Sequence, residues 1–334
     1  MRKSSFDSSI TSLKTINIHH KINLPSEIYT LVQIENTLIL IGLGNGFLYI
    51  FKKEKILNPS YILKLDKYPI VNILELKNNS IICTSNKPSI FLLKENSQNK
   101  YKIEYEITKK ISTKQQGHQI NKIIELQNEN LISIDNVFIT LWSNNLEIIK
   151  EKKINSPMID IISLNKKNVA IALPLKKNIT YIENEKLNQV YDFKNIKFIQ
   201  STDFNNIFAI INDELLFVGG CLGCIYLINL KHKEFVANLN LENNKEIITS
   251  VYNLANGNLV CGGSLVIDDN EKVIKVDSDI IQYEYKQYEN AFREIARKKE
   301  IHSNIIRNIK EIINHKEMKE LVTVSLDGNI IIWN

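Results

Sequence analysis

One stretch of sequence decides the fold: Leu321-Val-Thr-Val-Ser-Leu-Asp-Gly-Asn-Ile-Ile-Ile-Trp-Asn334. Residues 321–325 have the apolar character of a short strand, and residues 330–333 have that of a second one. The Asp-Gly pair between them is typical of a tight hairpin turn. The stretch therefore predicts two antiparallel strands, the second of which ends in an aromatic and a polar residue.

The same unit recurs along the chain as a polar, Asn- and Lys-rich turn followed by a strongly apolar strand. Seven such strands begin near Leu38, Ser80, Leu131, Val169, Leu215, Leu259 and Leu321. Four of the six intervals between them are close to the roughly 40–45 residues of a four-stranded propeller blade. We therefore predict an all-β fold, a seven-bladed β-propeller.

Several of these strands are apolar without a break, which indicates burial on both faces. The runs at 37–41, 214–218 and 330–333 do not alternate with polar residues, as strands with one solvated face would. A parallel α/β sheet also buries both faces, but it needs helical stretches of about 10–15 residues between its strands. Mostly short Asn-rich turns stand there instead, and they favour the propeller.

The two ends of the sequence suggest how the ring closes. The seventh unit supplies three strands, and residues 13–19, Leu-Lys-Thr-Ile-Asn-Ile-His, have the pattern of a lone strand. Pairing this strand beside residues 330–333 would cover an open edge. We expect a flexible tail at 1–10 and a single domain at 11–334, with blades near 27–66, 67–110, 117–153, 157–194, 197–242, 246–300 and 303–334 plus 11–20.

Two units carry further motif residues. The third has Gly117-His118, Ser133-Ile-Asp135 and Trp142-Ser143, and the seventh has His302, Ser325-Leu-Asp327-Gly328 and Trp333-Asn334. In this order they resemble the WD-repeat family of β-propellers, although neither unit ends in a literal Trp-Asp pair. The resemblance implies two hydrogen-bonded tetrads that link loops to strands: His118, Ser133, Asp135 and Trp142, and His302, Ser325, Asp327 and Trp333. The other five blades share the period without the motif.

Two units are longer than the rest, and we predict that their extra residues form loops. Residues 108–117 are basic and residues 267–278 are acidic, and both connections are expected to open on one face of the ring. Loops that grow on one face of a repeat protein are often its binding face. Drift of solvated surface loops explains them equally well. The candidate binding rim comprises Lys109, Lys110, Lys114, Asp268, Asp269 and Glu271.

The segment between residues 288 and 318 fits two kinds of secondary structure. We predict an outer strand at 291–298 and an inner strand at 305–313. Its apolar residues partly follow helical spacing, so a short helix before His302 is the alternative.

Composition narrows the class of protein. The net charge of +5 is modest for 334 residues, and Lys is spread along the chain, whereas nucleic-acid-binding domains concentrate basic residues in a stripe. Four irregularly spaced Cys do not form a disulfide framework, which fits a reducing compartment. Residues 1–14 lack the apolar core of a secretory signal, and no run reaches the roughly 20 apolar residues of a membrane helix. We expect a cytoplasmic location, with the nucleus as the alternative.

The sequence carries no motif of an enzyme or a metal site. The Cys221-Leu-Gly-Cys224 pair has zinc-ligand spacing, but no second pair follows, and the acidic residues of 267–278 lack EF-hand spacing. A nucleophile elbow, a phosphate loop and a dinucleotide fingerprint are all missing. We therefore expect no catalytic residue, no metal and no cofactor.

The predicted function is that of a non-catalytic scaffold that binds other proteins. We expect a monomeric ring within a larger complex, without contact to membranes or nucleic acid. The alternatives are an RNA-associated assembly factor, which the basic balance suggests, and a propeller enzyme with a metal-dependent site. An enzyme would need carboxylates or histidines that point into the central channel from several blades.

Overall fold

The computed structural model describes residues 12–334 except for 35–36, 88, 96–104, 113–119, 154–157, 165–168, 175, 184–185, 198–207, 213–214, 222–223, 230–231, 233, 241–245, 255, 268–272, 287 and 290. Strands make up most of this part of the chain. One 3-10 turn at Lys53–Lys55 is the one helix among the described residues. The expected all-β class is confirmed.

The described strands form seven four-stranded antiparallel sheets. One strand, β1 (Ile18–Asn23), precedes the first sheet in the chain. The first sheet contains β2 (Ile28–Ile34), β3 (Leu38–Leu43), β4 (Phe47–Lys52) and β5 (Tyr61–Lys64). The second contains β6 (Ile70–Glu75), β7 (Ile81–Ser85), β8 (Ser89–Glu95) and β9 (Tyr105–Ser112). The third contains β10 (Ile120–Glu125), β11 (Leu131–Asp135), β12 (Phe138–Trp142) and β13 (Ile148–Lys153).

The remaining sheets continue in chain order. The fourth contains β14 (Met158–Leu164), β15 (Val169–Pro174), β16 (Lys176–Glu183) and β17 (Lys186–Lys197). The fifth contains β18 (Phe208–Asn212), β19 (Leu215–Cys221), β20 (Cys224–Asn229) and β21 (Glu234–Asn240). The sixth contains β22 (Glu246–Asn253), β23 (Leu259–Ile267), β24 (Val273–Lys286) and β25 (Ala291–Lys298). The seventh contains β26 (Ile306–Ile313), β27 (Lys319–Ser325) and β28 (Asn329–Trp333), and β1 is its fourth strand.

The first strand of each sheet packs against the first strand of the next. β2 contacts β6, β6 contacts β10, β10 contacts β14, and the series continues through β18 and β22 to β26. β26 in turn contacts β2, so the seventh sheet packs against the first. Because both faces of the strands in the middle of such sheets are covered, their residues are largely apolar. All six residues of β3 and all five of β28 are buried.

The strand β1 pairs with β28 along the outer edge of the seventh sheet. Its register runs from Ile18 opposite Trp333 to Asn23 opposite Asn329. The sequence had placed this strand at residues 13–19, and that boundary is corrected. Leu13 and Ile16, three residues apart, instead belong to a turn whose side chains share a buried cluster with Trp333.

Further contacts join the seventh sheet to the first. The Gln33 side chain donates to the Ile313 carbonyl and accepts from its N–H group, each at 2.8 Å. The Leu24 N–H group donates to the Gly328 carbonyl at 2.8 Å. Gly328 has a φ of 77°, and a Cβ atom there would lie 2.9 Å from the Leu24 carbonyl oxygen, so this turn requires glycine.

One buried cluster extends across the joint between these two sheets. It includes Ile22 from β1, Ile28 and Leu31 from β2, Phe51 from β4 and Ile312 from β26. Burial of a side chain of this size stabilises a fold by about 1.5–3 kcal/mol. The first and last strands of the chain therefore share one core.

The long sixth sheet confirms one expectation from the sequence and corrects another. Residues 291–298 form the strand β25, as predicted, and the alternative of a helix is wrong. Residues 267–278, expected to be an enlarged turn, mostly extend the hairpin instead, since β24 begins at Val273 and pairs with β23 from Ile267 inward. The reason is that three of the four residues in Val273-Ile-Lys-Val276 are β-branched, which favours a strand.

Candidate functional site

The seventh sheet contains a chain of hydrogen-bonded side chains. His302 Nδ1 lies 3.2 Å from Asp327 Oδ2, and His302 Nε2 lies 2.9 Å from the Thr323 hydroxyl. Trp333 Nε1–H donates to the same hydroxyl at 3.3 Å. An ionised Asp can only accept, so Nδ1 carries a proton, and in the neutral imidazole Nε2 then accepts from the Thr323 O–H group. The chain links the loop before β26 to both central strands of the sheet.

The hydroxyl group in this chain is not the one that the motif suggested. The Ser325 hydroxyl donates to the Asn304 carbonyl at 3.0 Å and accepts from the Asp327 N–H group at 3.2 Å. The role expected for Ser325 is therefore corrected to Thr323. Thr323 lies within β27, opposite Ile331, whereas Ser325 is the last residue of the strand.

Several hydrogen bonds hold Asp327 in the ionised state. Burial alone would raise the pKa of Asp327, but hydrogen bonds from His302 and from the Ser303 N–H group outweigh that effect, with the Asn329 N–H group as a further donor. Together they hold the pKa of this carboxyl well below its usual range. The charged carboxylate is thus part of the folded structure.

Among the described residues, the third sheet shows part of this arrangement. Trp142 Nε1–H donates to the Ser133 hydroxyl at 2.9 Å. Asp135 accepts from the N–H groups of Val137 and Phe138, each at 2.6 Å, and so caps its own turn. His118, its expected partner, lies outside the described residues.

The residues of the predicted binding rim cannot all lie in loops. Lys109 and Lys110, expected in a loop, belong to the outer strand β9, where they pair with Leu92 and Phe91 of β8. The apolar residues Ile107 and Ile111 let this stretch continue the sheet. Lys114, Asp268, Asp269 and Glu271 lie outside the described residues, as do residues 113–119 and 268–272 as a whole.

Charged residues on the innermost strands form a small group that the sequence did not reveal. Lys122 of β10 is paired with Asp160 of β14, whose side chain is fully buried. Burial, with the charge of Lys122 as a second cause, lowers the pKa of Lys310 in β26 to about 8. Residues far apart in sequence therefore meet here because the first strands of the sheets face each other.

A cleft of about 340 Å³ lies where the seventh sheet meets the first. Its apolar lining includes the buried Ile39 and Ile312 and the side chain of Leu57, which is 54% exposed. Three histidines that show no ligand spacing in the sequence line it as well: His19, His20 and His315. The cleft lies at the turns from β26 to β27 and from β4 to β5, at the strand ends opposite the predicted rim.

Two of the histidines are held by neighbouring groups. His19 occupies a β-bulge in β1, where a bulge re-aims a side chain. Its Nδ1 atom lies 3.0 Å from Oε1 of the nearly buried Glu320, and its ring lies 4.0 Å from that of His20. The adjacent His pair was the one signal in the sequence that could have pointed to this place.

A cationic group lies at the same cleft. Lys53, only 11% exposed, contacts Glu317 Oε1 at 2.5 Å, and Glu317 is 72% exposed. Glu317 lies in the turn between β26 and β27 with a φ of 59°. A surface carboxylate from the seventh sheet thus reaches across to a nearly buried ammonium group of the first.

The sulfur and metal-binding groups of the described residues offer little chemistry. Cys83 and Cys261 are buried free thiols, and burial raises the pKa of both far above the usual range, so they stay protonated. The backbones of Cys221 and Cys224 lie opposite each other in the hairpin formed by β19 and β20. No group of three or more His, Cys, Asp or Glu residues that could hold a metal ion occurs within the described part of the chain.

The fold is similar to a solved WD-type propeller. The crystal structure of the WD40 beta propeller domain of Doa1 matches 96% of this chain and 98% of that chain, with a TM-score of 0.68 and 9% sequence identity. No family model and no curated protein matches this sequence. The likeness shows an all-β, WD40-like propeller fold. None of the helical structure described here is long and apolar enough to cross a membrane.

Proposed function

We propose that this chain is a closed, seven-bladed β-propeller that serves as a non-catalytic scaffold for other proteins. The observation that carries the proposal is the contact between the seventh and first sheets, together with the pairing of β1 with β28. A ring tied at this point holds its loops in fixed positions. Partner binding then costs little conformational entropy on the side of the ring.

The free thiols support a place of action in the cytoplasm or the nucleus. Cys83 and Cys261 are reduced and buried, which suits a reducing compartment. We further propose that the ring works as a monomer within a larger complex. The hydrogen-bonded chain of His302, Thr323, Asp327 and Trp333 then has a structural role, because its polar atoms contact one another.

The proposed binding rim is the face that carries the connections 113–119 and 268–272. Its candidate groups are Lys114, Asp268, Asp269 and Glu271. Its opposite charges would suit different parts of one partner. If these loops bind a partner, shortening either one leaves folding intact and weakens partner capture, because the paired strands are untouched.

The decisive experiment is affinity purification of the tagged chain followed by mass spectrometry. The test variant replaces Asp268, Asp269 and Glu271 with Lys. The matched control is Glu289→Lys, in the turn from β24 to β25 at the other end of the same sheet. We expect the triple variant to lose partners that the control retains. Equal recovery of the same proteins by both variants would show that the rim lies elsewhere.

The same experiment separates the alternative functions. Treatment of the lysate with RNase leaves protein partners bound if the chain is a protein scaffold. Loss of every partner after RNase would favour the RNA-associated assembly factor. An enzyme with a metal-dependent site would show turnover that a chelator abolishes.

A further inference from the structure

We propose that the cleft between the seventh and first sheets binds a carboxylate that stands next to an apolar side chain, as found in an acidic–apolar segment of a partner polypeptide. This deepens the scaffold function proposed above, and the polypeptide nature of the ligand rests on it. The cleft lies on the face opposite the predicted rim, so it is a separate docking place.

The shape of the cleft fits one apolar side chain with polar neighbours. Its volume of about 340 Å³ lies at the lower end of the range for ligand pockets, roughly 300–1,000 Å³. Ile39 and Ile312 form an apolar floor, and the exposed Leu57 extends this surface toward solvent. An apolar side chain placed there would cover Leu57, which now contacts water.

The charged group at the cleft selects a carboxylate. Lys53 is nearly buried, and its ammonium group contacts a carboxylate at 2.5 Å, that of Glu317. Glu317 itself is mostly exposed and belongs to a turn of the seventh sheet, so it can turn away into water at little cost. A ligand carboxylate can take its place beside Lys53 and gain the same charge-assisted hydrogen bond.

Neighbouring side chains complete the site. His20, His315 and Asn58 line the cleft, and each of these side chains carries at least one N–H donor. His19, held by Glu320, forms the wall on the side of β1. The lining carries two lysines, Lys53 and Lys55, and two carboxylates, Glu54 and Glu320, so a single carboxylate suits the cleft better than a doubly charged phosphate.

Two capped peptides of equal length test the proposal: acetyl-Gly-Leu-Glu-Gly-amide and its Gln counterpart. Binding to the full chain is followed by NMR through the imidazole signals of His20 and His315. We expect the Glu peptide to shift these signals at a concentration about tenfold lower than the Gln peptide, since a hydrogen bond to a charged group is the stronger one. Equal binding of the two peptides, or no binding of either, would overturn the proposal.

Two variants separate a ligand-binding role of Lys53 from a structural one. Lys53→Met should remove the preference for the Glu peptide. Glu317→Gln should bind that peptide about threefold more tightly, because a competing carboxylate is gone. A purely structural ion pair predicts no such gain, so an unchanged affinity in folded Glu317→Gln protein would refute the site. Lys64→Met is the control, because Lys64 bonds the Asn45 carbonyl and lies over the Phe47 ring.

The outcome also separates this proposal from the scaffold function. If the Glu peptide binds but no protein is captured from lysate, the cleft stands and the scaffold function is wrong. If the peptides do not bind while capture persists in the Lys53→Met variant, the scaffold function stands and the cleft has no part in it.

Discussion

The seventh and third sheets carry similar sequence motifs but use them differently. In the seventh, four side chains from a loop, a strand, a turn and the next strand are joined: His302, Thr323, Asp327 and Trp333. In the third, the bond from Trp142 to Ser133 is present, while Asp135 caps the turn that follows it. The seventh sheet also receives its fourth strand from the other end of the chain.

The difference follows from strand register. Asp135 lies opposite Ile120, the first residue of β10, and Ser325 lies opposite Ile306, the first residue of β26. Asp135 and Ser325 therefore occupy equivalent positions in their sheets. Asp135, however, is the acidic residue of its Ser-x-Asp motif, whereas Ser325 is the hydroxyl residue of its own. Asp327 lies two residues further on, within the turn, where it can reach His302. The position of a residue in the pairing between strands therefore decides which hydrogen bonds its side chain can form.

The largest effect is expected from removing the strand that only the seventh sheet borrows. Deletion of residues 1–20 removes Leu13, Ile16 and half of β1, so the edge of β28 and the cluster around Trp333 become exposed. We expect loss of the single cooperative melting transition for the whole molecule. Thermal unfolding followed by circular dichroism checks this, with deletion of residues 1–10 as the control. An unchanged melting temperature after the longer deletion would contradict closure by β1.

Truncating the two tryptophans compares the sheets directly. Trp333→Ala should cost about 3–5 kcal/mol of unfolding free energy, the range for a buried aromatic residue. Trp142→Ala should cost a similar amount, since its side chain is equally buried. Phe51→Ala is the packing control, because Phe51 fills a fully buried position in a sheet without the motif. Denaturant titration measures all three, and two neutral tryptophan variants would show that neither sheet is of the WD type.

The sequence predicted the repeated strands well because several of them are apolar almost without a break. Leu38–Leu43 and Asn329–Trp333 need burial on both faces, and only stacked sheets provide it without helices. Register, in contrast, depends on pairing between strands, so the role expected for Ser325 was wrong and Thr323 was overlooked. The cleft was missed for the same reason: His19 and His315 are brought together only by the joint between the two ends of the chain.

A smaller loss of unfolding free energy is expected when a hydroxyl group is removed. The loss should be greater for Thr323, whose hydroxyl contacts two side chains, than for Ser133, whose hydroxyl contacts one. Thr323→Val keeps the shape but leaves His302 Nε2 and the Trp333 N–H group without this partner, at a cost of about 2 kcal/mol. Ser133→Ala leaves only the Trp142 N–H group without it and should cost about 1 kcal/mol. Ser325→Ala tests the corrected assignment in the same denaturant titrations. A cost for Ser325→Ala that exceeds that of Thr323→Val would restore the role that the motif first suggested for Ser325.

The smallest effect concerns the acid at the end of the longer chain and is best seen through its pH dependence. Because the pKa of Asp327 is depressed in the folded protein, its contribution to stability is complete above the unfolded pKa, whose model value is 3.8. That contribution is lost as the pH falls through the folded pKa. Asp327→Asn should therefore cost about 1 kcal/mol at neutral pH and little at strongly acid pH.

Measuring unfolding free energy from pH 7 down to the acid limit, for this variant and the unaltered chain, gives two curves that converge at the low end. The exposed Glu289→Gln serves as the control that should leave the acid limb unchanged. Curves that stay parallel would mean that the bonds from His302 and Ser303 to Asp327 do not depend on its charge. The seventh sheet would then differ from the third only in geometry, not in electrostatics.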